Sequence, residues 1–292
     1  MTTAPSRTAG DTPAALPKLA AFDVDGTLIT RDGVLTDRTA AALEALADAG
    51  VMTVLATGRP WPQTTTVVRR ARCLTYAVCL NGAVVMDIAT GERIADRSMT
   101  HTEAIEAAEI TRKLLPDVHL AVDLADGRHL WEHEFAPGMP SDLLADLQIS
   151  RVDDAIAAVN GAVLTWLVHA PSTDTLTVVS ELASEMPLGT EIRPSGLEMA
   201  EIAATGVSKS TGLEIVCQRY GIAPSEVIAF GDGLNDIEML RWAGHSVAMS
   251  NAPESVRAAA DVIAPSNSED GVAVVLEALL AGRSRNIATA PR

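Results

Sequence analysis

With 292 residues and 48% hydrophobic content, the chain can bury a core in one large or two ordinary domains. Its formal charge of −16 argues against a general affinity for nucleic acid, whose phosphates need a basic face. An anionic substrate is still allowed, because a metal ion and a few cations can reverse the sign inside one cleft. No apolar run approaches the roughly 20 residues needed to cross a bilayer. The Thr-, Ala- and Pro-rich opening from Met1 to Lys18 lacks the apolar segment of a secretory signal. A flexible tail on a soluble cytoplasmic protein is therefore expected, with no membrane or protein partner indicated. Cys73, Cys79 and Cys217 have no metal-ligand spacing and read as free thiols, Cys79 and Cys217 buried.

Leu19 to Phe22 is a short apolar run ending in Asp23-Val24-Asp25-Gly26-Thr27, the pattern of a buried strand that delivers a polar loop. Thr39 to Ala49 has helical spacing and stops at Gly50. Val51 to Ala56 is again strand-like and ends at Thr57-Gly58-Arg59-Pro60; after a helical stretch, Tyr76 to Leu80 ends at Asn81-Gly82. Strands without alternation, separated by helices, predict a parallel sheet covered on both faces.

The pattern then changes. Val84–Asp87 and Arg93–Arg97 read as a hairpin, followed by a helix at His101–Leu115 and strands near His119–Asp123 and Arg128–Glu132. A strand at Ala162–Ala170, a helix at Thr173–Glu185 and a strand pair around Gly189–Arg193 and Leu197–Ile202 complete an α+β module. After Gly206 the first style resumes, with strands at Val227–Phe230, Ser246–Met249 and Asp261–Ala264 among helices. The expected organisation is a doubly wound parallel sheet formed by residues 1–84 and 204–292, with an α+β domain, residues 85–203, inserted into it. Its junctions are expected near Ala83–Val85 and Ala203–Gly206.

Polar clusters follow several of these strands, at the edge where open α/β sheets bind ligands. Asp23 and Asp25 can point into one cleft, one as nucleophile and the other as acid and base, and Gly26 lets the backbone approach a phosphate. EF-hand spacing is absent, so a calcium loop is not expected. Thr57, beside Gly58 and a helix start, suits a phosphoryl oxygen, though a plain helix cap reads the same way. Lys209 opposes the dipole of the helix that it begins, which an anion or carboxylates would offset; alone it reads as a solvated lysine. Gly231-Asp232-Gly233-Leu234-Asn235-Asp236 offers oxygen ligands with room for water, which suits Mg²⁺.

Taken together, Asp23/Asp25, Thr57, Lys209 and Asp232/Asp236 resemble the four-motif pattern of the haloacid dehalogenase superfamily. The second acid, Asp25, resembles its phosphatase and mutase branches. The long insert between Thr57 and Lys209, with Asn81-Gly82-Ala83 and Gly206-Val207-Ser208-Lys209, resembles the Cof-like, type IIB subgroup. The resemblance implies a Rossmann-like core with an inserted cap that closes over the site.

It also implies a mechanism. Asp23 attacks phosphorus to form an aspartyl-phosphate; Asp25 is acid then base, which requires a raised pKa. Mg²⁺ is held by the Asp23 carboxylate, the Asp25 backbone carbonyl and Asp232. Thr57 and Lys209 hold phosphoryl oxygens, and Asp236 acts through water or orients Lys209. Gly26, Gly58, Arg59, Asn81 and Asn235 are expected around the phosphate or substrate, and Arg193 and Glu198 are further candidates for the leaving group. Trp131, Trp166 and Trp242 read as core or interface. The implied partner is a small phosphorylated metabolite such as a sugar phosphate. A sugar-phosphate mutase and a non-catalytic phospholigand-binding protein are the alternatives.

Overall fold

The computed structural model describes residues 16–135, 144, 146–195 and 199–288. Most of the expected N-terminal tail and the candidate Glu198 lie outside them. The chain forms two compact units. One takes residues up to Thr57, Thr66–Ala77 and from Leu213 onward; the other takes Gly58–Thr65 and Val78–Gly212. The expected insert, 85–203, lies inside the second unit, which extends beyond both expected junctions.

In chain order the elements are β1 (Leu19–Phe22), α1 (Asp37–Asp48), β2 (Met52–Ala56), α2 (Thr65–Arg70), β3 (Leu74–Cys79), β4 (Val84–Asp87) and β5 (Arg93–Asp96). Next come α3 (His101–Leu114), β6 (His119–Leu124), β7 (His129–Glu132), β8 (Ile149–Val152), α4 (Ala155–Ala158), β9 (Val163–His169) and α5 (Thr175–Leu182). The chain continues through β10 (Thr190–Pro194), β11 (Ala200–Ala204), α6 (Lys209–Tyr220), β12 (Val227–Gly231) and α7 (Ile237–Trp242). It ends with β13 (His245–Met249), α8 (Glu254–Arg257), β14 (Val262–Ala264) and α9 (Gly271–Ala288).

The first unit is built on the strand order β14–β13–β12–β1–β2–β3. The pairings from β14 to β2 are all parallel. Every residue of β1 and β12 is buried, as a sheet covered on both faces requires. Phe22 and Phe230 occupy paired register positions and stack with centroids 5.0 Å apart. Thr36 caps α1 by accepting the Thr39 N–H, and Gly50, at φ +89°, carries the chain out of the helix. Leu43 and Leu46 of α1 and Leu276 of α9 bury the apolar faces of these helices.

The second unit carries a six-stranded sheet in the order β10–β11–β9–β6–β7–β8. One face packs on α3, α4 and α5 through Leu120, Val122, Trp166 and Ile202. Trp166 is fully buried, and its indole N–H donates to the Ala104 carbonyl at 2.9 Å. The other face alternates with it. Trp131 and Phe135 form a small apolar cluster there, while Asp123, His129, Thr165 and Glu201 make a polar band. The edge strand β8, Ile149-Ser150-Arg151-Val152, has no counterpart in the sequence-based expectation. It is short and partly polar, and it is held by parallel pairing to β7, so periodicity does not mark it.

Replacing Trp166 with Phe should remove the indole donor from a buried acceptor and lower stability by about 1–3 kcal/mol. Urea unfolding of wild type and Trp166→Phe, at unchanged far-UV circular dichroism, checks this; equal midpoints would show that the bond contributes nothing net.

Candidate active site

β12, β1 and β2 are adjacent, parallel and in register, with Phe22 opposite both Phe230 and Leu55. Their carboxyl ends therefore lie along one edge, and the next residues are Asp23 after β1, Thr57 after β2 and Asp232 after β12. Asp23 and Thr57 are buried, Asp236 is fully buried, Asp232 is half-buried and Asp25 is exposed. Asp23, Asp232 and Asp236 each offer a carboxylate oxygen, and the three atoms lie within 4.8 Å of one another. Like charges this close repel strongly in a poorly hydrated site unless a cation neutralises them. The donor set is all hard oxygen, which fits Mg²⁺.

The cluster is held by specific hydrogen bonds. The Thr27 hydroxyl donates to Asp232 Oδ1 at 2.8 Å. Asn251 Nδ2 donates to Asp232 Oδ2 at 3.1 Å and to the Gly26 carbonyl at 2.9 Å. Asn251 Oδ1 accepts from the Asn267 backbone N–H, and Asn267 Nδ2 donates to the buried Ile29 carbonyl at 2.7 Å. Asp236 Oδ2 accepts the backbone N–H groups of Asp232, at 2.9 Å, and Gly233, at 2.8 Å. Expected only to act through water or orient Lys209, Asp236 thus both joins the carboxylate cluster and shapes the loop carrying Asp232. Gly26 has φ +77°, and a Cβ there would stand 2.1 Å from Asp232 Oδ2. No side chain fits between these two loops.

Asn235 lies half-buried in the 3₁₀ turn Leu234–Asp236. Thr27 lies within the first polar cluster, where its position alone assigns it no role. Asn251 and Asn267 sit in loops whose composition reads as ordinary turns, and nothing local marks them.

Gly58, Arg59, Asn81 and Lys209 belong to the second unit. Lys209 is only 1% exposed, which rules out the solvated-lysine reading. Ser208 and Thr211 exchange hydrogen bonds at the start of α6 and fix the turn that presents it. Asn81 Nδ2 donates to Glu201 Oε2 at 2.6 Å, and the Gly58 position leaves room for the Asn81 amide. Arg59 donates to the Gln63 carbonyl at 3.1 Å. Arg193, a candidate for the leaving group, hydrogen-bonds the Val207 carbonyl and Glu191, so it braces the chain just ahead of Lys209.

Glu201 was not found from sequence; alternation within β11 puts it opposite Ala200 and Ile202 but does not say what its face meets. Burial pushes its carboxyl up to about 7, against the Asn81 hydrogen bond and the charges of Lys209 and Arg193, with Asp123 adding repulsion.

A folded-state pKa above the unfolded value of 4.5 means that the native state holds the extra proton between the two. The contribution of Glu201 to stability is therefore full below pH 4.5 and is lost as pH rises through about 7. Glu201→Gln should flatten the fall of Tm between pH 5 and 8 in thermal melts. Parallel curves for the two proteins would contradict the assignment.

The family described as haloacid dehalogenase-like hydrolase matches residues 20–276. The chain is 28% identical to the 5-amino-6-(5-phospho-D-ribitylamino)uracil phosphatase YcsE of Bacillus subtilis, over 88% of this chain and 93% of that protein. It is 26% identical to the pyridoxal phosphate phosphatase YbhA of Escherichia coli, over 88% of this chain and 96% of that one. Among solved structures, the HAD subclass IIB sugar phosphatase BT4131 is 27% identical, with a TM-score of 0.78 over 89% of this chain and 98% of its own. These matches run through all the strand-end motifs, and the chain belongs to the haloacid dehalogenase-like hydrolase family, in its Cof-like phosphatase branch.

Proposed function

We propose that the chain is an Mg²⁺-dependent phosphatase that hydrolyses the phosphomonoester of a small metabolite, a sugar phosphate or similar, through an aspartyl-phosphate on Asp23. The observation that carries this reading is the cluster of Asp23, Asp232 and Asp236 at the ends of adjacent parallel strands. The relatives named above, phosphatases of a phosphoribitylamino-uracil, of pyridoxal phosphate and of sugars, support a small phosphorylated metabolite as substrate.

The Asp23 carboxylate, the Asp25 backbone carbonyl and Asp232 are the proposed holders of Mg²⁺, which when bound neutralises phosphoryl charge. Thr57 and Lys209 hold phosphoryl oxygens; Gly26, Gly58 and Asn235 shape the phosphate cradle, and Arg59 and Asn81 contact the substrate. An oxygen of Asp23 attacks phosphorus as the bond to the leaving oxygen breaks, and Asp25 gives that oxygen its proton. Asp25, now a carboxylate, takes a proton from water, which attacks the aspartyl-phosphate and frees phosphate and Asp23. Asp236 keeps the Asp232 loop in place. Residues 85–203 are proposed as the cap that excludes bulk water during transfer.

Asp23→Asn should leave the fold intact and reduce phosphate release from para-nitrophenyl phosphate by more than a hundredfold, because an amide is no nucleophile. Retention of more than about a hundredth of the wild-type rate would sink the nucleophile assignment. Chelation should abolish turnover, and Mg²⁺ should restore it. Ca²⁺ should support little, because its larger, flexible coordination sphere would engage both oxygens of Asp23. Equal rates with the two ions would contradict that geometry.

A further inference from the structure

Asn251 and Asn267 stand outside the motifs that carry the chemistry, yet their amides close a ring of hydrogen bonds across the sheet edge of the first unit. Asn251 follows β13 and Asn267 follows β14. An asparagine in such a loop is most often a turn former, whose side chain bonds backbone close by in the chain. Asn251 instead bonds residues 225, 19 and 16 positions away. Its Nδ2 donates to the Gly26 carbonyl, in the loop after β1, and to Asp232 Oδ2, in the loop after β12. Its Oδ1 accepts the Asn267 backbone N–H at 3.1 Å. The buried Asn267 side chain donates to the Ile29 carbonyl, which returns the ring to the loop after β1.

The ring settles which way round the Asn251 amide sits. A backbone N–H can only donate, so the atom facing it is the amide oxygen, and the two N–H bonds of Nδ2 are left for Gly26 and Asp232. Asp232 is thereby clamped. Asn251 donates to one carboxylate oxygen at 3.1 Å, and the Thr27 hydroxyl to the other at 2.8 Å. The Gly26 α-carbon closes on the same group: a Cβ there would stand 2.1, 2.6 and 2.7 Å from Oδ2, Cγ and Oδ1. Thr27 is buried, and Asn251 is tied to backbone at Gly26 and Asn267, so neither donor is free to follow a displaced carboxylate.

A fixed carboxylate bears on which cation binds. Mg²⁺ demands near-octahedral geometry at about 2.0–2.1 Å, whereas Ca²⁺ takes six to eight oxygens at about 2.3–2.6 Å and adapts to irregular cages. Choice between the two therefore depends on how far the ligands can move. A carboxylate that shifts by about 0.3–0.5 Å accommodates the larger ion. Held by Thr27, Asn251 and Gly26, Asp232 resists that shift. We infer that Thr27 and Asn251 are positioning residues for the divalent cation: by fixing the Asp232 carboxylate, with Asn267 fixing Asn251, they make the acidic cluster prefer Mg²⁺ to Ca²⁺. This rests on the metal reading above and goes beyond it, since it assigns the choice of ion to residues outside the proposed ligand set.

The test reads binding, not turnover. The rise in Tm of the substrate-free protein with Mg²⁺ or Ca²⁺ concentration gives a dissociation constant for each ion, every variant being referred to its own metal-free Tm. Wild type should bind Mg²⁺ the more tightly. Thr27→Val and Asn251→Ala should each weaken Mg²⁺ binding about tenfold to a hundredfold, the range for loss of a group that orients a metal ligand, and weaken Ca²⁺ binding less. Thr27→Ser, which keeps the hydroxyl, should keep the wild-type preference. Equal weakening of both ions, or a wild-type preference in both Thr27→Val and Asn251→Ala, would show that these bonds only support the fold and would overturn this inference alone. So would a wild type that binds Ca²⁺ as tightly as Mg²⁺, or a Thr27→Ser protein no more selective than Thr27→Val. A wild type whose Tm does not respond to Mg²⁺ would instead overturn the Mg²⁺ reading, and this inference with it.

Discussion

The rest of the site depends on keeping three carboxylates close together at one sheet edge. Asp23, Asp232 and Asp236 present oxygens within 4.8 Å of one another, two of them on buried residues. Left alone, such charges would repel, take up protons or swing apart. The fold opposes this with donors: the Thr27 hydroxyl, the Asn251 amide and two backbone N–H groups each bond one of the carboxylates. Glycines at 26 and 231 bring the backbone so close that a methyl group would collide with Asp232 or Asp236. The repulsion that remains is what a divalent cation bound at the cluster would relieve.

The sheet pays for this arrangement with apolar burial. β1 and β12 are buried along their whole length, and the Phe22–Phe230 stack lies just behind the strand ends that carry the acids. Parallel pairing matters as much as hydrophobicity here, because only parallel neighbours end on the same edge and bring Asp23, Thr57 and Asp232 there together.

A second constraint operates in the other unit. The left-handed turn at Leu80–Gly82 meets the start of α6 through a close backbone approach and strand β11 through the Asn81–Glu201 hydrogen bond. Through them a buried lysine, an amide and a carboxyl with a raised pKa come to share one neighbourhood. The left-handed turn places the Asn81 amide 2.6 Å from Glu201 Oε2, a relation that sequence separation alone does not suggest.

Much of this was legible in the sequence. Unalternating apolar runs at 19–22 and 227–230, followed by acidic, glycine-containing loops, mark both the strands and the chemistry that they deliver, because both signals are local. The hairpin at 84–96 and the helix at 101–114 were equally plain from turn residues and spacing. What sequence could not supply were relations set by tertiary packing. The half-polar edge strand β8 exists because β7 offers it a partner. Asn251 and Asn267 matter because distant loops meet. Lys209 taken alone reads as a solvated lysine and only the set of motifs singles it out; its burial is decided by packing, and Glu201 reads as one of many strand glutamates. Alternation tells which residues share a face; only the packed structure decides what that face meets, and the energies of charge and burial follow from that.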